Sequence, residues 1–209
     1  MLVLAWCGAS GGTDAAELGM GLKLGEVTQS SAVVWTRITA AREREENGAM
    51  PGAPGEVRVR YGRPADLSDA RSTDWSAVDP ALDFTRQFKL TGLQPAAEYH
   101  VVVEARDPGA AEPSASVRGR FGTAATAETW QDASFAVVTG QAYKDVDHPD
   151  GYHIYPAMQR AGVNFVVMTG DTVYYDNDPP LANSVELCRL HWQRMDSLPR
   201  HVELHNNVP

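Results

Sequence analysis

The sequence predicts an all-β domain followed by an α/β segment. Three observations lead there. From about residue 21 to 123 apolar and polar residues alternate with a period of two, the mark of half-buried strands. Gly and Pro punctuate that stretch at roughly regular intervals, as in an antiparallel sandwich. After residue 134 two short apolar runs flank a helical pattern, which reads as a βαβ unit with parallel strands.

In the first domain, Ser31 to Ile38 is rich in β-branched and aromatic residues and predicts a strand. Trp35 within it is expected in the core. Glu56 to Gly62 alternates strictly and places Val57, Val59 and Tyr61 on one face. Phe84 to Leu90, Glu98 to Arg106 and Ser116 to Thr123 repeat the pattern. Ala40 to Gly55, with its run Glu43-Arg44-Glu45-Glu46, predicts a long solvated loop.

In the second segment, Phe135 to Gly140 and Asn164 to Thr169 predict buried strands, joined by a helix within Tyr152 to Ala161. Pro156 fits the first turn of that helix. Ala182 to Leu198 predicts a further helix, with Val185, Cys188, Trp192 and Met195 as its core stripe and His191 beside it on the exposed side. His148 and His153 read as surface histidines around an acidic loop. His201 and His205 are four apart, the spacing of one helix face.

Charge narrows the function. The chain has 18 Lys+Arg and 27 Asp+Glu, a net charge of −9. That excess excludes a phosphate-tracking nucleic-acid binder. No apolar run approaches the ~20 residues that span a bilayer. Two Cys, Cys7 and Cys188, make neither a disulfide framework nor a metal spacing. Residues 126–209 hold 5 basic and 11 acidic residues and five of the six His, a balance that suits cations. The apolar start Leu2 to Cys7 fits a signal remnant or a frayed terminus.

The informative string is Val167-Met168-Thr169-Gly170-Asp171-Thr172-Val173-Tyr174, at the carboxyl end of the second strand. Open α/β sheets place their sites there. A carboxylate at a strand end can bridge two hard cations, and the Gly before it allows close approach. A phenolate three residues later suits a ferric ion, and Asp176 and Asp178 add negative charge. Gly-Asp-Thr is equally the chemistry of a turn or helix cap. Gln141, at the end of the first strand, is a candidate substrate contact.

Phe165 to Tyr174 resembles the second block of binuclear metallophosphoesterases in its Gly-Asp-x-x-Tyr form, that of purple acid phosphatases and PhoD-like alkaline phosphatases. Leu93 to Tyr99 resembles the tyrosine corner of a fibronectin type III domain. Gly151 to Tyr155 and Trp192 to Leu198 are similar to PhoD-type segments. The chain is thus identified as similar to the amino-terminal part of a PhoD-like phosphatase. The resemblance implies a possible signal remnant over 1–19, a fibronectin III-like β-sandwich over 20–125 and the first βαβ portion of a metallophosphoesterase domain over 130–209. It implies Asp171 as the bridging ligand and catalytic residue, and Tyr174 as a ligand of one metal. It also implies two divalent or trivalent ions, with Fe and Ca as candidates, a small phosphate ester as substrate, and export from the cytoplasm.

Two departures qualify the resemblance. PhoD-type enzymes carry Ser-Cys-Gln where this sequence has Thr139-Gly140-Gln141, and Gly140 cannot ligate. The family's later Trp-Asp-Asp-His block would begin beyond Pro209, so little phosphatase activity is expected of these residues alone. A related sulfate-ester hydrolase and a non-catalytic binding protein remain the alternatives.

Overall fold

A computed structural model describes residues 15–209. The expected signal remnant falls largely on residues 1–14, outside the described residues. Two antiparallel sheets enclose one apolar core. The first runs β1 (Leu22–Gly25), β2 (Ser31–Arg37) and β6 (Thr85–Thr91), side by side in that order. The second runs β4 (Arg71–Ser72), β3 (Glu56–Gly62), β7 (Glu98–Arg106) and β8 (Ala115–Gly122), with β5 (Ser76–Ala77) also on β3. Inward residues come from alternate positions: Ala32 and Val34, Val57 and Val59, Phe88 and Leu90, Val101 and Val103. Ala16 and Leu18 join this core, so it starts ahead of the boundary expected at residue 20.

Trp35 corrects the expectation of a core residue. Its neighbours Ala32, Val34 and Thr36 face the interior, so the pleat turns Trp35 outward, where the Lys23 ammonium lies 5.3 Å from its ring centre. Arg37 shares that outer face yet is 1% exposed. It donates to both carboxylate oxygens of Asp83 at 2.9 and 3.1 Å and to the Met50 carbonyl at 2.7 Å. The charge run Glu43–Glu46 is solvated as expected, but the loop is pinned beyond it: Met50 is buried, and its N–H donates to Gln193.

The second half holds two parallel strands, β9 (Phe135–Val138) and β10 (Phe165–Met168), joined through α1 (Ile154–Arg160). They were expected to be buried on both faces. Only one face is covered: Ala136, Val138 and Val166 pack against Tyr155 and Met158 of α1 and Leu204 of α3 (Pro199–Asn207). On the other face Phe135 stacks on Phe165 at 5.1 Å, and both rings remain accessible. No element among the described residues lies over them.

The helix α2 (Val185–Asp196) starts where Ser184 caps it, its hydroxyl accepting the Leu187 N–H. Its burial corrects the expected stripe. Met195 is fully buried, but Val185 and Trp192 are exposed, Cys188 is half-exposed, and His191 is 1% exposed. The cause is the segment 175–180, which packs across the polar side. Pro180 meets the His191 ring through its carbonyl at 2.9 Å, and Arg194 donates to the Pro179 carbonyl and pairs with Asp178. The His191 ring and the terminal nitrogens of Arg194 are accepted there because they are hydrogen-bonded.

Candidate functional site

The register of the two parallel strands sets Val138 beside Met168. The loops that follow them, 139–141 and 169–171, therefore leave the sheet together at its carboxyl edge. Thr169 N–H donates to the Val138 carbonyl at 2.9 Å, and Gln141 N–H donates to the Asp171 carbonyl at 2.7 Å. Gly140 and Gly170 take φ of +70° and +117°, which suits Gly. Asp171 takes φ +54°, and Asp is among the few side chains that tolerate it.

Asp171 and Tyr174 meet. The phenol donates to Asp171 Oδ2 at 3.0 Å, and the carboxylate is exposed to solvent. This hydrogen bond holds the Tyr174 pKa above its ordinary value, since the phenolate would lose the bond and face a carboxylate. Asp145 and Asp176 push the same way from further off. The Tyr152 phenol, which donates to the Ala142 carbonyl, is raised to about 12, first by burial and then by Asp145 and Asp147. Asp178 is not part of this rim: it is buried against Arg194. A Cβ built on Gly140 would stand 3.9 Å from the Tyr174 hydroxyl, so position 140 borders the pair.

Gln141 is turned inward. Its side-chain oxygen accepts the Tyr155 hydroxyl at 2.6 Å, and burial raises the Tyr155 pKa. Tyr155 thus holds the residue whose backbone holds Asp171. Sequence reasoning placed Tyr155 on the helix but did not join it to Gln141, because the partners are fourteen residues apart and meet only through the fold. His153 is exposed and pairs with Asp147 at 3.0 Å, and the His148 ring stands edge-on to His153 at 5.3 Å.

Two oxygen donors three residues apart do not hold two ions. Hard cations take roughly six or more oxygen ligands each, and among the described residues no group of three His, Cys, Asp or Glu is placed to hold a metal. The set in this chain does not fit a complete binuclear centre.

A family model described as PhoD-like phosphatase, N-terminal domain, matches residues 6–125. The solved structure of PhoD aligns with 92% of this chain at a TM-score of 0.73 and 18% identity, and 37% of that chain is covered. A redesigned β-sandwich protein matches half of this chain and 92% of its own at 24% identity, with a TM-score of 0.34. The sensor domain of the anti-sigma factor RsgI4 of Pseudobacteroides cellulosolvens matches 56% of this chain and all of its own at 15% identity, with a TM-score of 0.38. The last two are too distant to carry an argument. No curated protein matches the sequence. The likeness to PhoD shows the fold: mostly β-sheet with a few helices in open sheets.

Proposed function

The chain belongs to the PhoD-like phosphatase family, and from that premise we propose that it is the amino-terminal part of a metal-dependent phosphoesterase. The observation that carries the reading is the pairing of Asp171 with Tyr174 at the carboxyl edge of β9 and β10, within a chain that follows the PhoD fold over 92% of its length. Asp171 would be the bridging metal ligand and Tyr174 a ligand of one ion once its phenol loses its proton. Further ligands would come from polypeptide beyond these 209 residues. Two ions, with Fe and Ca as candidates, would supply the Lewis acidity for hydrolysis of a small phosphate mono- or diester. Gly140 leaves one ligand position different from the family's Cys. Gln141 would hold the Asp171 loop through its backbone N–H while Tyr155 fixes its side chain, which makes it a support of the site and not the substrate contact.

The division follows the same reading: a fibronectin III-like sandwich over 20–125 and the opening βαβ unit of the metallophosphoesterase domain over 130–209. The facing sheets β1-β2-β6 and β4-β3-β7-β8 support the first part, with Tyr99 accepting the Gln94 N–H at its corner. The bare apolar face of Phe135, Val137, Phe165 and Val167 supports the second, since open α/β sheets are covered on both sides. The protein would act outside the cytoplasm. No described helix is long and apolar enough to cross a membrane.

The test compares this chain with a longer polypeptide that continues it. The longer one should hydrolyse a phosphate ester in preference to the matching sulfate ester, and Asp171→Asn should lower its bound metal. Phosphate-ester turnover by the 209-residue chain above a metal-free blank would contradict the assignment of ligands beyond it. Unchanged metal content in the variant would remove Asp171 from the site.

A further inference from the structure

The helix α3 is wedged between the two halves of the molecule. Leu204 and Val208 pack on Tyr155 and Met158, while Asn206 reaches the sandwich, its Oδ1 accepting the Leu22 N–H at 2.9 Å. The contact is backbone-close: a Cβ on Gly119 of β8 would stand 2.1 Å from the Asn206 carbonyl oxygen. At this junction lie two imidazoles, His201 at 1% and His205 at 9% exposure, with ring centres 4.4 Å apart.

The junction is short of hydrogen bonds. Among the described residues, eight buried side-chain polar atoms have no partner, and five of them are here: Asp196 Oδ1, Ser197 Oγ, both ring nitrogens of His201, and His205 Nε2. Native interiors leave such groups unpaired rarely. The groups that face the pair come from every neighbour. From β1 comes Lys23, whose ammonium binds Asp196 Oδ2 at 2.6 Å. From the end of α2 comes Asp196, with Oδ1 3.5 Å from His201 Nε2. From α1 comes Tyr155, its ring 5.2 Å from His201, with Tyr152 behind it. The cavity that His205 lines is also lined by Leu24, Val166 and Pro209, whose carbonyl oxygen accepts the Val166 N–H.

We propose that His201 and His205 form a proton-operated latch, closed while both imidazoles are neutral, whose protonation releases α3 from the sandwich. A first proton could find Asp196 Oδ1, but Lys23 already occupies the other oxygen of that carboxylate. The His201 Nδ1–H, the His205 Nε2–H and the second charge would be buried without partners near the Lys23 ammonium, and Asp196 offsets that for His205 only in part. Burial accordingly holds both imidazoles neutral to more acid pH than usual, with Lys23 adding to the effect. The sign follows from proton counting. The released state takes up protons at the ordinary imidazole pKa of about 6.5, while the closed state does not. The latch is therefore at full strength above that pH and weakens as pH falls below it.

The experiment is a set of urea titrations of the 209-residue chain between pH 8 and 5, beside His201→Gln/His205→Gln. Each buried imidazole should shift the released-to-closed ratio toward release about tenfold per pH unit below about 6.5. That slope should shrink in the double variant. If the variant does not fold, imidazole proton resonances of the unaltered chain give the answer. Both should titrate well below the free value, with the α3 amide signals lost over the same range. A flat urea midpoint in the unaltered chain, ordinary imidazole titration, or α3 signals that persist while both rings are charged would each overturn the proposal.

Discussion

Gly119 on β8 and Asn206 on α3 touch backbone to backbone, and a methyl group on Gly119 would stand 2.1 Å from the Asn206 carbonyl oxygen. The obstacle is main chain, so no side-chain rotation relieves it. Gly119→Ala should push α3 off the sandwich and cost about 1–3 kcal/mol, the range for overpacking a tight contact. Urea denaturation reads it. A loss under about 0.5 kcal/mol, the level of an ordinary surface change, would mean that α3 is not seated as described.

The Tyr99 hydroxyl accepts the Gln94 N–H at 2.9 Å, and the ring lies in the core against Phe121. Tyr99→Phe keeps the ring and removes the acceptor. The change should cost about 1 kcal/mol, the usual net value of one hydrogen bond. Thermal unfolding monitored by circular dichroism would show a lower midpoint with an unchanged folded spectrum.

Arg37 is a buried cation whose counter-charge is Asp83. Asp83 sits at φ +55°, so Asn is the replacement that keeps the backbone at ease. Asp83→Asn should cost about 3 kcal/mol, because it leaves the guanidinium buried without its partner charge. Replacing Arg37 by Met in the same background should recover part of that loss. No recovery in the double variant would place the effect in the turn and not in the ion pair.

The Tyr174 pKa is raised first by its hydrogen bond to Asp171. In Asp171→Asn the neighbouring anion is gone, and the phenol should titrate closer to the ordinary tyrosine value of about 10. Ultraviolet difference titration of tyrosinate, with Tyr174→Phe to identify the signal, reads the shift. An unmoved titration would separate the two side chains in solution. This measurement needs no metal and no activity, so it tests the pair apart from its proposed role.

Much of the sandwich was legible because its signal is local. Glu56–Gly62 and Glu98–Arg106 have the ends that alternation predicted, and Val57, Val59 and Tyr61 share a buried face as expected. The pairing of Asp171 with Tyr174 was legible in part, since three residues of turn keep two side chains in reach of each other. The burial of β9 and β10 was misread: a short apolar run says that a strand can be covered twice, not that two layers are present to cover it. Likewise α2 buries His191, Arg194 and Asp196 beside Met195, because hydrogen bonds offered by the segment 175–180 and by Lys23 offset what desolvation costs.

The period of each strand, the tyrosine corner and the acidic loop at the sheet's carboxyl edge were readable along the chain, because all are set by neighbours within a few residues. The tertiary structure alone decided that Trp35 faces outward, that Tyr155 anchors Gln141, and that two imidazoles close the junction beneath α3. Alternation and helical spacing state which side chains share a face. Only the packing of one element on another decides which face meets water, and that packing sets the desolvation and the charge each group feels.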